Sequence, residues 1–202
     1  MRFEDILRRW RDNPSTTRQI ALLKRVSAAL QASPDCTGAA VVGSFAKGSA
    51  DRVSDIDLVV FCSDDAGNSL IRAIEQQITL SEIFIKFEGV HDPKSPFQKL
   101  IFEDLTSIEF HIISPDTELI LEQPFVEIVN RDRCLESRAS SRLAPTEHDM
   151  TAYHYGDRFL AWEVFTCLKW LWRGDFKTAK RYLVNLGRAI EASEETNGSA
   201  VG

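Results

Sequence analysis

Gly43-Ser44-Phe45-Ala46-Lys47-Gly48, followed by Ser54-Asp55-Ile56-Asp57-Leu58, is the stretch on which the reading of this chain turns. Apolar runs flank it: Gly38–Val42 (GAAVV) before it and Ile56–Cys62 (IDLVVFC) within and after it. Both runs are short and bounded by polar turn residues, the pattern of buried strands. Between them, glycines at 43 and 48 allow a sharp turn and a close approach of backbone to a ligand. Asp55 and Asp57 alternate about Ile56. A period of two puts both carboxylates on one face of a strand and Ile56 in the core. Arg52 and Ser54 shape the turn before the pair, Ser54 through its hydroxyl.

The residue types set the chemistry. A small hydroxyl (Ser44) and backbone N–H groups at a helix start suit phosphate oxygens. Lys47 adds a point charge that can meet a triphosphate. Two carboxylates side by side repel each other and call for a cation. Hard oxygen donors suit Mg²⁺, which shares its shell with substrate phosphates. A phosphate cradle followed by such a pair points to phosphoryl or nucleotidyl transfer.

Outward from this segment the periodicity changes several times. Phe3, Ile6, Leu7 and Trp10 predict a helix over 2–12. Ser15 is placed to cap a second helix carrying Ile20, Leu23, Val26 and Leu30, which must stop before Pro34. Asn68 is placed to cap a third, with Ile71, Ile74 and Ile78 on one face. Ile83, Ile85 and Phe87 then alternate with Phe84, Lys86 and Glu88 as a half-buried strand. KLIFED and SIEFHII follow as two more strands, too closely spaced for a crossover helix and therefore antiparallel. In SIEFHII, Glu109 and His111 share the face opposite Ile108, Phe110 and Ile112. An ionisable residue between apolar neighbours needs a partner. Residues 116–144 hold many arginines and no clean period. From Pro145 the chain reads as helical, with Thr146 and Asp149 as a cap. Gly174 serves as a stop and Asp175 as a new cap before a last helix through Phe176, Ala179, Leu183, Leu186 and Ile190.

GSFAKGSADRVSDIDLVVF resembles the signature of the DNA-polymerase-β-like nucleotidyltransferase superfamily, a Gly-Ser followed about ten residues on by Asp-x-Asp. Its wording is similar to that of small bacterial aminoglycoside and lincosamide nucleotidyltransferases and of minimal nucleotidyltransferase antitoxins. The resemblance implies an α/β (α+β) nucleotidyltransferase fold, a mixed β-sheet flanked by helices, with a C-terminal α-helical segment. It implies a nucleoside triphosphate, with ATP as the expected case, and Mg²⁺ held by Asp55, Asp57 and a third carboxylate, for which Glu109 is the choice. Glu109 would complete the metal site or act as the base for the acceptor hydroxyl. Gly43, Ser44 and Lys47 would bind the nucleotide. WLWRGDF at 170–176 is similar to a helix–RGD–helix junction in aminoglycoside-type enzymes, where Trp162, Lys169, Tyr153 and Tyr155 would border the nucleotide or acceptor.

The expected activity is transfer of a nucleoside monophosphate to a hydroxyl of a small molecule, an aminoglycoside-like antibiotic being the example that suits an acidic pocket. The alternative is an antitoxin that AMPylates or binds a protein toxin. Domain expectations are a catalytic core at 1–115, a connecting segment at 116–144 and a helical subdomain at 145–202. Larger relatives continue with further helices, so here the expectation is either an open acceptor pocket or one completed by a second subunit in a homodimer. With 24 Lys+Arg against 30 Asp+Glu among 202 residues, the net charge of -6 argues against a general nucleic-acid binder. No run approaches the ~18 apolar residues of a membrane helix. Four dispersed cysteines and no signal-peptide pattern fit a reducing cytoplasm.

Overall fold

The alternation at Asp55-Ile56-Asp57-Leu58 is realised in strand β2 (Asp55–Cys62), inside a six-stranded sheet. The computed structural model describes residues 3–11, 13–63, 66–144 and 151–198. They divide into two units, Met1–Ala144 and Pro145–Gly202. In the first unit β1 (Cys36–Val41) lies antiparallel to β2. The short helix α3 (Gly43–Lys47) stands between them in sequence. Three strands follow as a meander: β3 (Ile83–Asp92), β4 (Ser95–Phe102) and β5 (Ser107–Ile113), each antiparallel to the next. β5 then pairs in parallel with β2. The sheet is therefore mixed, as the resemblance implies, in the order β3-β4-β5-β2-β1-β7, with β7 at Val126–Asn130.

One face of the sheet is apolar throughout. Ala39, Val41, Ile56, Leu58, Val60, Ile108, Phe110 and Ile112 pack against helices α1 (Phe3–Trp10), α2 (Thr17–Ala32) and α4 (Gly67–Glu75). Burying this surface drives assembly of the unit. Two caps differ from expectation. Asn13, not Ser15, accepts the Ser15 N–H at 3.0 Å and opens a short 3₁₀ turn at Pro14–Thr16 that leads into α2. Asn68 lies inside α4, whose N-cap is Ala66 with no side-chain bond. Thr146 and Asp149 lie outside the described residues.

Residues 116–144 are more than a connection. Val126–Asn130 form β7, the sixth strand, antiparallel to β1. Leu121–Gln123 (β6) and Ala139–Leu143 (β8) make a small parallel pair. Between β7 and β8, α5 (Cys134–Arg138) brings Leu135 onto the second face of the main sheet, beside Ala40, Val59, Phe61 and Ile113. The arginines that hide the period act as staples. The Arg131 guanidinium donates to the carbonyl oxygens of Gln31, Ser33, Pro34 and Cys36 at 2.6–2.9 Å. Arg138 does the same for Pro115 (2.9 Å) and Thr117 (2.5 Å).

In the second unit α6 (Leu160–Trp172) and α7 (Phe176–Gly198) form a hairpin. Gly174 takes a positive φ of 77°, and Asp175 accepts the Thr178 N–H at 3.1 Å, so the RGD tripeptide is a helix stop followed by a cap. Cys167, Trp170, Ala179 and Tyr182 form the hairpin's core. Tyr182 Oη donates to buried Glu163 at 3.0 Å, and the Tyr153 N–H donates to the same carboxylate at 2.8 Å. Lys169 is buried, its ammonium 4.5 Å from the Phe165 ring centroid and 5.1 Å from that of Trp162. These contacts engage Lys169 and Trp162 in packing, whereas Tyr153 is held by its backbone N–H and its hydroxyl donates to Asp157 at 2.7 Å. Tyr155 is exposed beside Phe159, ring to ring at 4.8 Å. No described helix is long and apolar enough to cross a membrane.

Arg131→Met removes the charge-assisted bonds that tie the end of β7 to the α2–β1 turn. It is expected to destabilise the chain by about 2–3 kcal/mol in urea denaturation.

Candidate active site

The face of β2 opposite the apolar core carries Asp55 and Asp57, both half-buried. The register with β5 sets Asp55 beside Ser107 and Asp57 directly beside Glu109. Directly opposed residues on neighbouring strands share a face, so all three carboxylates stand on one side of the sheet. One row further, Lys99 of β4 lies opposite Glu109. The four charges thus come from three adjacent strands, and their order across the sheet is set by backbone hydrogen bonding.

The glycine turn closes on this face. The Val42 N–H donates to the Asp57 carbonyl at 3.0 Å, which brings the end of β1 against the start of β2. Gly43 then adopts φ +63°, where a side chain is disfavoured. A Cβ on Gly43 would lie 1.9 Å from Asp57 Oδ2. The glycine is therefore required twice, by its conformation and by the carboxylate beside it. Ser44, half-buried, is the next residue of α3. Lys47 closes α3 at its far end and is exposed. Before the pair, Asp51 Oδ1 accepts from Ser54 Oγ (2.9 Å) and the Val53 N–H (3.1 Å). Gln19 Nε2 donates to the Arg52 carbonyl at 2.9 Å, so the loop is pinned from α2.

Asp55 and Glu109 are each held by neighbouring side chains. Ser107 Oγ donates to Asp55 Oδ1. Glu109 Oε1 receives both Lys99 Nζ at 2.7 Å and His111 Nε2 at 2.6 Å, and neither bond uses Oε2. Glu109 is 16% exposed and Lys99 13%. Burial by itself would raise the Glu109 pKa, but the Lys99 charge and the His111 hydrogen bond outweigh it and hold the carboxyl at about 2. Beyond His111, His91 Nε2 lies 2.7 Å from His111 Nδ1, and the two rings stack at 4.9 Å with Phe97 beneath them. Burial, then the neighbouring His111, lowers the His91 pKa.

Among the described residues no three His, Cys, Asp or Glu side chains already converge on one point as a metal cage. The donor set still suits a hard divalent cation. Asp55 and Asp57 offer oxygen ligands from one strand face, and Glu109 keeps an oxygen outside its two bonds. The Lys99 charge and the His111 hydrogen bond favour the ionised form of Glu109, the form in which a carboxylate offers oxygens to a cation.

The structure thus brings Gly43, Asp55, Asp57 and Glu109 together, with Ser44 adjacent and Lys47 at the periphery. Sequence reasoning missed Lys99 and Ser107. A lone lysine between Gln98 and Leu100 in a strand is a signal for Lys99, but its partner is visible only with the β4–β5 register. A cleft of about 310 Å³ bordered by Arg18, Arg25, Ile78 and Phe102 lies on the helix-covered side, away from the carboxylates.

The lowered Glu109 pKa links to stability with a definite sign. Its contribution is complete above the ordinary carboxyl value of 4.5 and is lost as pH falls through about 2. Wild-type stability therefore declines over that window more steeply than that of Glu109→Gln, a difference read by denaturant unfolding at several pH values. Gly43→Ala, at the crowded turn, is expected to cost about 1–3 kcal/mol of stability in the same assay.

A family model for the nucleotidyltransferase domain matches residues 23–126, just over half of the chain, and contains Gly43, Ser44, both aspartates and Glu109. No curated protein matches. Among solved structures, a cytoplasmic RNA terminal U-transferase is similar at 22% identity over 50% of this chain and 31% of that one, with a TM-score of 0.34. The poly(U) polymerase Cid1 with Mg and 3'-dATP gives 21% identity over 56% and 37%, again at 0.34. A GLD-2/RNP-8 complex gives 19% over 55% and 38%, at 0.31. The chain spans about a third of the length of the solved chains it matches. By the family match across its central sheet and carboxylate face, this chain belongs to the nucleotidyltransferase domain family.

Proposed function

We propose that the chain is a Mg²⁺-dependent nucleotidyltransferase that moves a nucleoside monophosphate, AMP from ATP, onto a hydroxyl of a small molecule and releases pyrophosphate. The observation that carries this reading is the row formed by Asp57 and Glu109 on adjacent strands, with Asp55 two residues before and the Gly43 backbone against Asp57. Asp55, Asp57 and Oε2 of Glu109 would hold the metal. Bound there, Mg²⁺ supplies charge neutralisation for the attacking and leaving oxygens of an in-line displacement. Gly43 and Ser44 would seat the phosphates that leave, the glycine because only hydrogen occupies the space beside Asp57. Lys99 and His111 fix Glu109 as an anion and orient it from one oxygen. An acidic face of this kind suits a cationic acceptor such as an aminoglycoside.

The test is a pyrophosphate-release screen of the four nucleoside triphosphates against hydroxyl acceptors, aminoglycosides and lincosamides included. ATP is expected to give the highest turnover, and EDTA to abolish it. Asp57→Asn is expected to lower turnover at least about 100-fold with its thermal transition retained. Wild-type turnover in that variant removes Asp57 from the mechanism.

A further inference from the structure

The α6–α7 hairpin carries an apolar face that its own core does not use. Helix α6 turns Glu163, Cys167 and Trp170 toward α7. A rotation of about 110–120° from that side, in the sense of the helix, reaches Val164, Leu168, Leu171 and Trp172. On α7, Ala179 and Tyr182 face α6, and a similar rotation reaches Phe176, Leu183, Val184 and Gly187. The helices are antiparallel, so equal rotations bring both stripes to the same side of the hairpin. The seven large side chains of this face are each 39–62% exposed. Together they present on the order of 600 Å² of apolar surface, beyond the few hundred Å² usual on a monomer and near the ~800 Å² per partner of a stable interface.

Two features identify the occupant. Gly187 sits mid-helix, and among the described residues nothing lies within 4 Å of the position of a Cβ there, so none of them requires a glycine at this place. Glycine there weakens α7 relative to alanine, and it leaves a flat site where a second helix can approach closely. The charges on the stripe are also self-complementary. Lys180 and Glu191, both exposed, are eleven residues apart, three turns on one line, and Val184 and Gly187 lie between them. An antiparallel copy of α7 related by a twofold axis between Val184 and Gly187 sets each Lys180 against the other copy's Glu191. A patch that matches itself in this way defines an isologous dimer.

We propose that this face is a homodimer interface, in which two hairpins pack as a four-helix bundle with α7 antiparallel to its copy across Gly187. The reading is independent of the catalytic proposal and involves none of its residues.

Sedimentation equilibrium of the full chain over roughly 1–100 μM tests it. The expected mass is twice 22.8 kDa. Val184→Glu and Gly187→Gln, both at exposed positions, are each expected to weaken the dimer about 100-fold while helical circular dichroism is retained. Lys180→Glu alone weakens association, and Lys180→Glu with Glu191→Lys restores it to within about threefold of wild type. A monomer throughout the range overturns the proposal, whether or not hydrogen exchange finds the α7 stripe protected by another part of the chain. So does a dimer indifferent to all these substitutions.

Discussion

The parallel pairing of β2 with β5 is the constraint on which the candidate site depends. Its register is locked from the far side of the sheet. Ile56, Leu58, Val60, Ile108, Phe110 and Ile112 all point into the helix-covered core and are completely buried. A slip of one residue in either strand would exchange its two faces, exposing that strand's core residues and burying carboxylates. The burial that stabilises the unit therefore also fixes Asp57 beside Glu109 to the nearest residue. No contact among the carboxylates is needed for this, and none would be favourable, since like charges at that spacing repel.

The way the three carboxylates are held follows from that repulsion. Ser107 engages Asp55, the Gly43 turn crowds Asp57, and Lys99 with His111 engages one oxygen of Glu109. The ammonium of Lys99 offsets one negative charge from within the sheet. Pre-organisation of this kind lowers the reorganisation required when a charged substrate arrives.

Much of this was legible in the sequence, for identifiable reasons. Apolar runs at 38–42 and 56–62, the change to period two at 83–87 and the alternation in SIEFHII all record burial on one face. The Gly-Ser and Asp-x-Asp wording marked the turn and the pair. The RGD junction was readable because glycine and aspartate have conformational meanings that survive any context. Three things were not. β7 at 126–130 is short and lies among arginines whose role is to bind carbonyls of the α2–β1 turn, so polarity masked a sheet edge. Asn13 and Ser15 are equally good caps by type, and only the turn at Pro14 decides between them. Lys99 reads as an ordinary strand lysine until β4 is set against β5.

Local pattern by itself determined the strands, the glycine turn and the Asp55/Asp57 face, because periodicity and turn chemistry act over a few residues; the class of fold and the candidacy of Glu109 came with the resemblance those residues carry. Tertiary structure alone decided that Asp57 and Glu109 are neighbours, and that Lys99 and His111 share one oxygen of Glu109. It also decided that Gly43 has no room for a side chain, while among the described residues none comes within 4 Å of a Cβ at Gly187. Those facts depend on strand register and on which elements meet across long separations. Sequence encodes such meetings only through the summed burial of the whole core.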